Sequence, residues 1–202
     1  MPRVHVAAGA LVVAVAAALA VTLWPRRPTR EPPPVIGVVP DFTLTDHTGA
    51  PFKSHVTLMG HPWVANFIFT RCTTVCPLFT TKMAQLEEKT RARFGDRLRM
   101  VSFSVDPDHD KPEVLATYAR ERGADVSRRW WFLTGATEDI TRIVEKSLKI
   151  AMEKLPDRPV GDSIRHGTHF VLVDGGMRIR GYYDLSDADV LQRLERDLQL
   201  LE

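Results

Sequence analysis

From Asp41 onward, apolar and polar positions alternate through FTLTDHTGAPFKSHV, with turn-forming residues from Asp46 to Gly49 between two short pieces, a pattern that predicts a β-hairpin. Trp63 to Thr70 (WVANFIFT) reads differently, since it is apolar on both faces and rich in β-branched and aromatic residues, as a central strand is. Helical spacing follows from Pro77 to about Arg93. Leu98 to Val105 predicts a second core strand, and Pro112 to Arg122 a helix with proline in its first turn, where the missing N–H is not needed. Trp130 to Leu133 is a short third strand. The next helix is read from Thr137 as its cap, with Glu138 and Asp139 in the first turn where the helix dipole favours acids. HFVLVD, the turn Asp174-Gly175-Gly176 and RIRGYYD form a second hairpin, and an amphipathic helix from Ser186 to Leu201 closes the chain.

The core order is therefore β-α-β-α-β-α-β-β-α. Strands alternating with helices imply parallel crossovers, and the last hairpin adds antiparallel strands, so the expected fold is α/β, a mixed sheet flanked by helices. Between the first core strand and its helix lie Arg71-Cys72-Thr73-Thr74-Val75-Cys76. A thiol pair at the carboxyl end of a core strand is the arrangement of thioredoxin-like proteins, and ligands in open α/β sheets bind at that end.

Ahead of this domain, Val4 to Leu23 is nearly all Ala, Val and Leu. As a helix it would reach about 30 Å, the thickness of a bilayer's hydrocarbon core, so residues 1–24 are read as a single transmembrane helix that anchors the chain. Ala18-Leu19-Ala20 has the form of a signal-peptidase site, but the apolar run exceeds the usual signal-peptide core. Residues 25–40, with Pro25, Pro28, Pro32, Pro33, Pro34 and Pro40, read as an extended linker, leaving 41–202 as the folded domain.

Composition narrows the function. The 202 residues carry a formal charge of +2, but Arg3, Arg26, Arg27 and Arg30 all fall in the leader, so the remaining 23 basic residues face 25 acids. That balance offers nothing to nucleic acid. Arginines on both sides of the apolar span, counted alone, would leave the domain in the cytoplasm.

Two cysteines cannot build a disulfide scaffold, and a bridge closing so short a loop would remove little unfolded-state entropy. Cys72 and Cys76 stand four apart beside a helix start, where i and i+4 share a face and the helix N–H groups favour thiolate. Such a pair serves as a redox couple or as soft metal ligands. Structural zinc normally takes four protein ligands and no further cysteine exists, whereas Cu(I) accepts two or three soft donors, and an imidazole would let the site hold Cu(II) as well. Of the seven histidines, His5 lies in the apolar span, His47, His55 and His61 are expected to be solvated in turns or loops, and His109 is expected at the surface. His166 and His169, three apart on or entering a strand, are expected on opposite faces, so at most one joins the sulfurs, and spacing leaves the choice open.

FTRCTTVCP (Phe69 to Pro77), SVDPDHDKPEVLATYA (Ser104 to Ala119), WWFLTG (Trp130 to Gly135) and RHGTHFVLVD (Arg165 to Asp174) together resemble the SCO/SenC copper-binding proteins, membrane-anchored thioredoxin-like domains that serve cytochrome c oxidase assembly. The resemblance implies copper held by Cys72, Cys76 and His166, the histidine eight positions before the strand-closing Asp174, with Asp106 near the metal. It implies an acceptor, the dinuclear copper centre of cytochrome c oxidase subunit II, and a domain on the extracytoplasmic side of the inner membrane, against the simple charge count. Arg165 and Gly167 depart from the acid and serine that usually flank the family's histidine. A metallochaperone is thus the leading expectation. Its rival is a thiol-disulfide oxidoreductase that reduces cysteines of that or another exported protein with Cys72 and Cys76 as its redox pair and no need of His166. A peroxidase, or an anchored scaffold without chemistry, stands further off.

Overall fold

The structure, a computed structural model, describes residues 31–126 and 129–201. The proposed membrane span, residues 4–23, lies outside these, and among the described residues no helix is long and apolar enough to cross a membrane. The fold begins inside the expected linker: Gly37–Val38 (β1) pairs antiparallel with Arg178–Asp184 (β10). The first predicted hairpin is present as Thr43–Asp46 (β2) and Pro51–Lys53 (β3), with Gly49 at φ 85° in the turn, followed by the single turn Ser54–Thr57 (α1).

Three parallel strands form the centre, Trp63–Ile68 (β4), Arg99–Ser104 (β5) and Trp130–Thr134 (β6). Every residue of β4 is buried, which is why its sequence shows no polar face. His169–Val173 (β9) pairs antiparallel with β4 on its other side, giving an eight-stranded sheet in the order β1-β10-β9-β4-β5-β6-β2-β3. Val75–Phe94 (α2) joins β4 to β5, and Pro112–Glu121 (α3) joins β5 to β6. Both crossovers step the same way across the sheet, so right-handed connection puts both helices on one face, where Tyr118 Oη and Thr80 Oγ1 meet at 3.0 Å. The last helix, Val190–Leu198 (α5), contacts α2 and β10.

Several boundaries differ from expectation. Helix α2 starts at Val75, so Pro77 is its third residue. The first four N–H groups of a helix have no intrahelical partner, and proline is therefore tolerated there. Helix α5 starts at Val190 rather than Ser186, because Asp184 Oδ1 takes the Ser186 N–H and hydroxyl into a turn. Thr137–Thr141 (α4) runs on into a π-helical turn, Arg142–Ser147, with Ala136 as the cap residue in place of Thr137. An unpredicted second sheet pairs Met152–Lys154 (β7) with Ile164–His166 (β8).

Candidate metal centre

Strand β4 ends at Ile68, and the chain then makes a tight turn in which the Cys72 N–H donates to Phe69 O at 3.1 Å. The segment is fixed from beneath by Asp110, a fully buried carboxylate. It accepts from the Thr70 hydroxyl at 2.6 Å, the Thr70 N–H at 3.1 Å and the Ser104 hydroxyl at 2.6 Å, which ties the end of β4 to the end of β5. Asp106 is held by the guanidinium of Arg71, the residue before Cys72, at 2.6 Å. Asp106, His109 and Asp110 place ligand atoms within 4.8 Å of one another, but the two carboxylates already serve Arg71, Thr70 and Ser104.

Cys72 then sits over the start of α2. Thr74, at the cap position, provides no side-chain cap, and the Cys76 N–H instead points at Cys72 Sγ at 3.5 Å. A sulfur thus takes the place of the oxygen that usually satisfies a helix N-terminus, and negative charge on it is favoured. The hydrogen bond from the Cys76 thiol, the Cys76 N–H and contacts to Thr74 outweigh burial and bring the Cys72 pKa down to about 5. Cys76, fully buried, is held far above the ordinary thiol value, first by its hydrogen bond to the Cys72 sulfur and then by burial. Neither is in a disulfide, and a pKa of about 5 favours Cys72 as thiolate at neutral pH with the Cys76 thiol as its proton donor.

The small sheet delivers the third group. His166, the last residue of β8, is buried, with Nε2 at 3.6 Å from Cys76 Sγ and its ring edge-on to Phe69 at 6.2 Å. Its Nδ1 donates to Gly167 O at 3.1 Å, which leaves the Nε2 lone pair toward the sulfur. Burial holds the imidazole below its ordinary pKa, hence neutral. A cavity of about 300 Å³ opens beside this cluster, lined among others by Cys72, His166, Phe69 and Thr74. Cys76 is closed off behind them.

The structure therefore brings Cys72, Cys76 and His166 together and leaves the other described histidines apart. His169 is half-exposed, 3.5 Å from Asp184. The reason is not opposite faces of one strand, as expected, but two strands, since His166 ends β8 and His169 begins β9 in another sheet. His55 and His61 are accessible, in contact with Asp41 and Arg97 O, and His109 is exposed. His47 is a correction: expected in solvent, it is buried with its ring against Phe132 and its Nδ1 3.5 Å from the Phe132 N–H. The sequence reading missed Phe69 and Thr74 as neighbours of the sulfurs, although both belong to the motif.

The SCO1/SenC family pattern matches residues 31–199. The SCO1 protein homolog of Bacillus subtilis is 38% identical over 137 residues, 67% of each chain. Among solved structures, BsSco, described as a member of the Sco family of cytochrome c oxidase assembly proteins with a disulfide switch, is 30% identical with a TM-score of 0.74, covering 85% of this chain and 98% of that one. ScoI of Bradyrhizobium japonicum, solved with copper bound, shares the fold at a TM-score of 0.65 and 24% identity, covering 82% of this chain and 100% of that one. By the match along nearly all its described residues and by these relatives, the chain belongs to the SCO1/SenC family.

Proposed function

We propose that the chain is a membrane-anchored metallochaperone that binds copper through Cys72, Cys76 and His166 and delivers it to the dinuclear copper centre of cytochrome c oxidase subunit II, with its domain on the extracytoplasmic side of the inner membrane. The observation that carries the reading is the convergence of an unprotonated imidazole nitrogen on Cys76 Sγ at 3.6 Å, beside a Cys72 sulfur favoured as thiolate. Two sulfurs and one neutral imidazole are a donor set for copper in either oxidation state and too few for structural zinc. Family membership and the copper-bound ScoI relative support it. The apolar run at Val4 to Leu23 supports the anchor.

Three protein ligands leave copper room for one more. Because Cys72 and His166 line the cavity while Cys76 lies behind, an incoming acceptor thiolate reaches the metal from the Cys72 side. The acceptor sulfur–copper bond forms as the Cys72 sulfur–copper bond breaks, further acceptor donors then replace His166 and Cys76, and Cu(I) keeps its charge throughout. Mixing the copper-loaded full chain with the copper-free soluble domain of subunit II tests this, since copper should move to the acceptor and Cys72→Ser should abolish the transfer. An acceptor that stays empty would overturn the reading.

One observation favours a second reading, thiol-disulfide exchange: the low Cys72 pKa beside the high one of Cys76 suits an attacking and a resolving sulfur. The Cys72 thiolate would attack a substrate disulfide, releasing one substrate thiolate and leaving a mixed disulfide. Cys76, losing its proton, would then attack Cys72 Sγ, release the second thiolate and close a Cys72–Cys76 disulfide, so two electrons pass to the substrate. This chemistry needs the sulfurs alone, and full cellular function of His166→Ala would favour it over copper delivery.

A further inference from the structure

The ligands come from two separate sheets. Cys72 lies in the turn after β4 of the large sheet and Cys76 in the first turn of α2, whereas His166 ends β8 of the two-stranded sheet, and among the described residues no ladder joins the two sheets, which meet here through the short link Gly167-Thr168 into β9. The distance between imidazole and sulfurs is therefore set by packing on the side of the β7–β8 connection and by that link on the other. Residues 155–163, which connect β7 to β8, touch the cysteine segment at one position of unusual tightness. A Cβ built on Gly161 would lie 2.8 Å from Thr73 Oγ1, 3.4 Å from Thr73 Cγ2 and 3.5 Å from Arg71 O. Thr73 stands between the two cysteines, and Gly161 stands five residues before His166. Gly161 has no left-handed φ, so what this position requires of its residue is space and not backbone freedom.

We infer that Gly161 is a positioning residue of the copper site: its missing side chain lets the β7–β8 connection close on Thr73 and so sets His166 within reach of a metal on Cys72 and Cys76. This rests on the three-ligand reading above and adds what controls it. The connection passes displacement on because it is braced internally. Leu155 N–H donates to Ser163 O at 2.7 Å, Ser163 Oγ to Val160 O at 2.8 Å and Asp162 N–H to Pro159 O at 2.8 Å. Ordinary contact begins at 3.4 Å, so a Cβ at 2.8 Å demands that the turn or Thr73 give way by 0.6 Å, and the branches of a valine demand more. A metal–ligand bond tolerates only about 0.2 Å. Enlarging Gly161 therefore moves the imidazole away from the sulfurs, which stay tied to each other by the Cys76 N–H on Cys72 Sγ. Cu(II), which depends on the nitrogen donor, is lost first, and Cu(I), content with two sulfurs, is kept.

The test compares the full chain in detergent micelles as wild type, Gly161→Val, and Gly161→Val with Thr73→Ala, the second change emptying the space the valine needs. Electron paramagnetic resonance of added Cu(II) reads nitrogen coupling, competition with a chelator reads affinity, and a Cu(I) titration reads the two sulfurs. The expected result is loss of nitrogen coupling and a fall of about 10–100-fold in Cu(II) affinity in Gly161→Val. One equivalent of Cu(I) is retained, and both Cu(II) properties return in the double variant. Gly161→Ala gives a smaller change of the same kind and replaces valine should that variant not fold. Unchanged nitrogen coupling and affinity on enlarging Gly161, or no recovery in a folded double variant, would overturn the inference. A wild-type chain without nitrogen coupling would instead overturn the three-ligand reading, and this inference with it.

Discussion

The Cys72 sulfur offers a direct check on the electrostatics of the site. An ordinary thiol here would have a pKa of 9.0, and the bonds from the Cys76 thiol and N–H and from Thr74 bring Cys72 to about 5. At pH 6 an ordinary thiol is about 0.1% thiolate and at pH 9 about 50%, so its alkylation should speed up roughly 500-fold from the lower to the higher pH, because only the thiolate reacts. Cys72 is about 90% thiolate already at pH 6, so its rate should change by less than about twofold. Its absolute rate is not extreme: nucleophilicity falls with pKa at a Brønsted slope of about 0.4–0.5, which over four units offsets most of the gain in thiolate at pH 7. The flat profile is the signature, not the speed. The assay is iodoacetamide labelling of the reduced, metal-free chain from pH 4 to 10, with each cysteine quantified by peptide mass. The cavity beside Cys72 admits the reagent and Cys76 is fully buried, so Cys72 should label first. Cys76→Ala removes the leading hydrogen bond and should move the midpoint up toward 9. A native midpoint near 9, or one that Cys76→Ala leaves in place, would refute the reasoning.

Two further outcomes follow from the fold. Arg129 and Glu87 form a buried pair at 2.7 Å, with Arg129 also donating to Gly95 O, so Arg129→Ala leaves the Glu87 carboxylate to the more exposed Arg91 at 2.9 Å and should cost about 1.5–3 kcal/mol in urea unfolding. Burial lowers the pKa of both His166 and His47 below 6.5, so below that pH the unfolded chain binds protons that the folded chain refuses. Their contribution is fully present above pH 6.5 and is lost as pH falls toward the folded values, and Cys72 acts with the same sign down to about 5. The urea midpoint of the metal-free chain should thus fall between pH 7.5 and 5.5, and His166→Phe should flatten part of that slope.

What could be read from sequence tracks the length of each signal. The six residues of β4 are buried without exception, and the run that encodes them is unmistakable. The placement of Cys72 and Cys76 at its carboxyl end followed from that run and from Pro77. By contrast, β7 and β8 are three residues each and carry Glu153, Lys154 and Arg165, too short and too polar for a period to show. That gap is why the sequence puts His166 and His169 on one strand, and why spacing leaves the choice between them open. His47 escaped for a related reason: turn chemistry at Asp46 to Gly49 is local, whereas the burial of the ring comes from Phe132, 85 residues away. Gly161 carries no signal at all in sequence, since its role lies in what it lacks opposite Thr73.

The central claim is that two sulfurs and one imidazole hold copper together, and metal binding by the reduced full chain in micelles, beside its His166→Ala variant, tests it most directly. The account predicts one equivalent of Cu(I) and one of Cu(II) in the wild type, with Cu(II) binding sharply weakened in the variant. Weak binding that is indifferent to His166 would contradict it and leave a dithiol whose chemistry is exchange with other sulfurs.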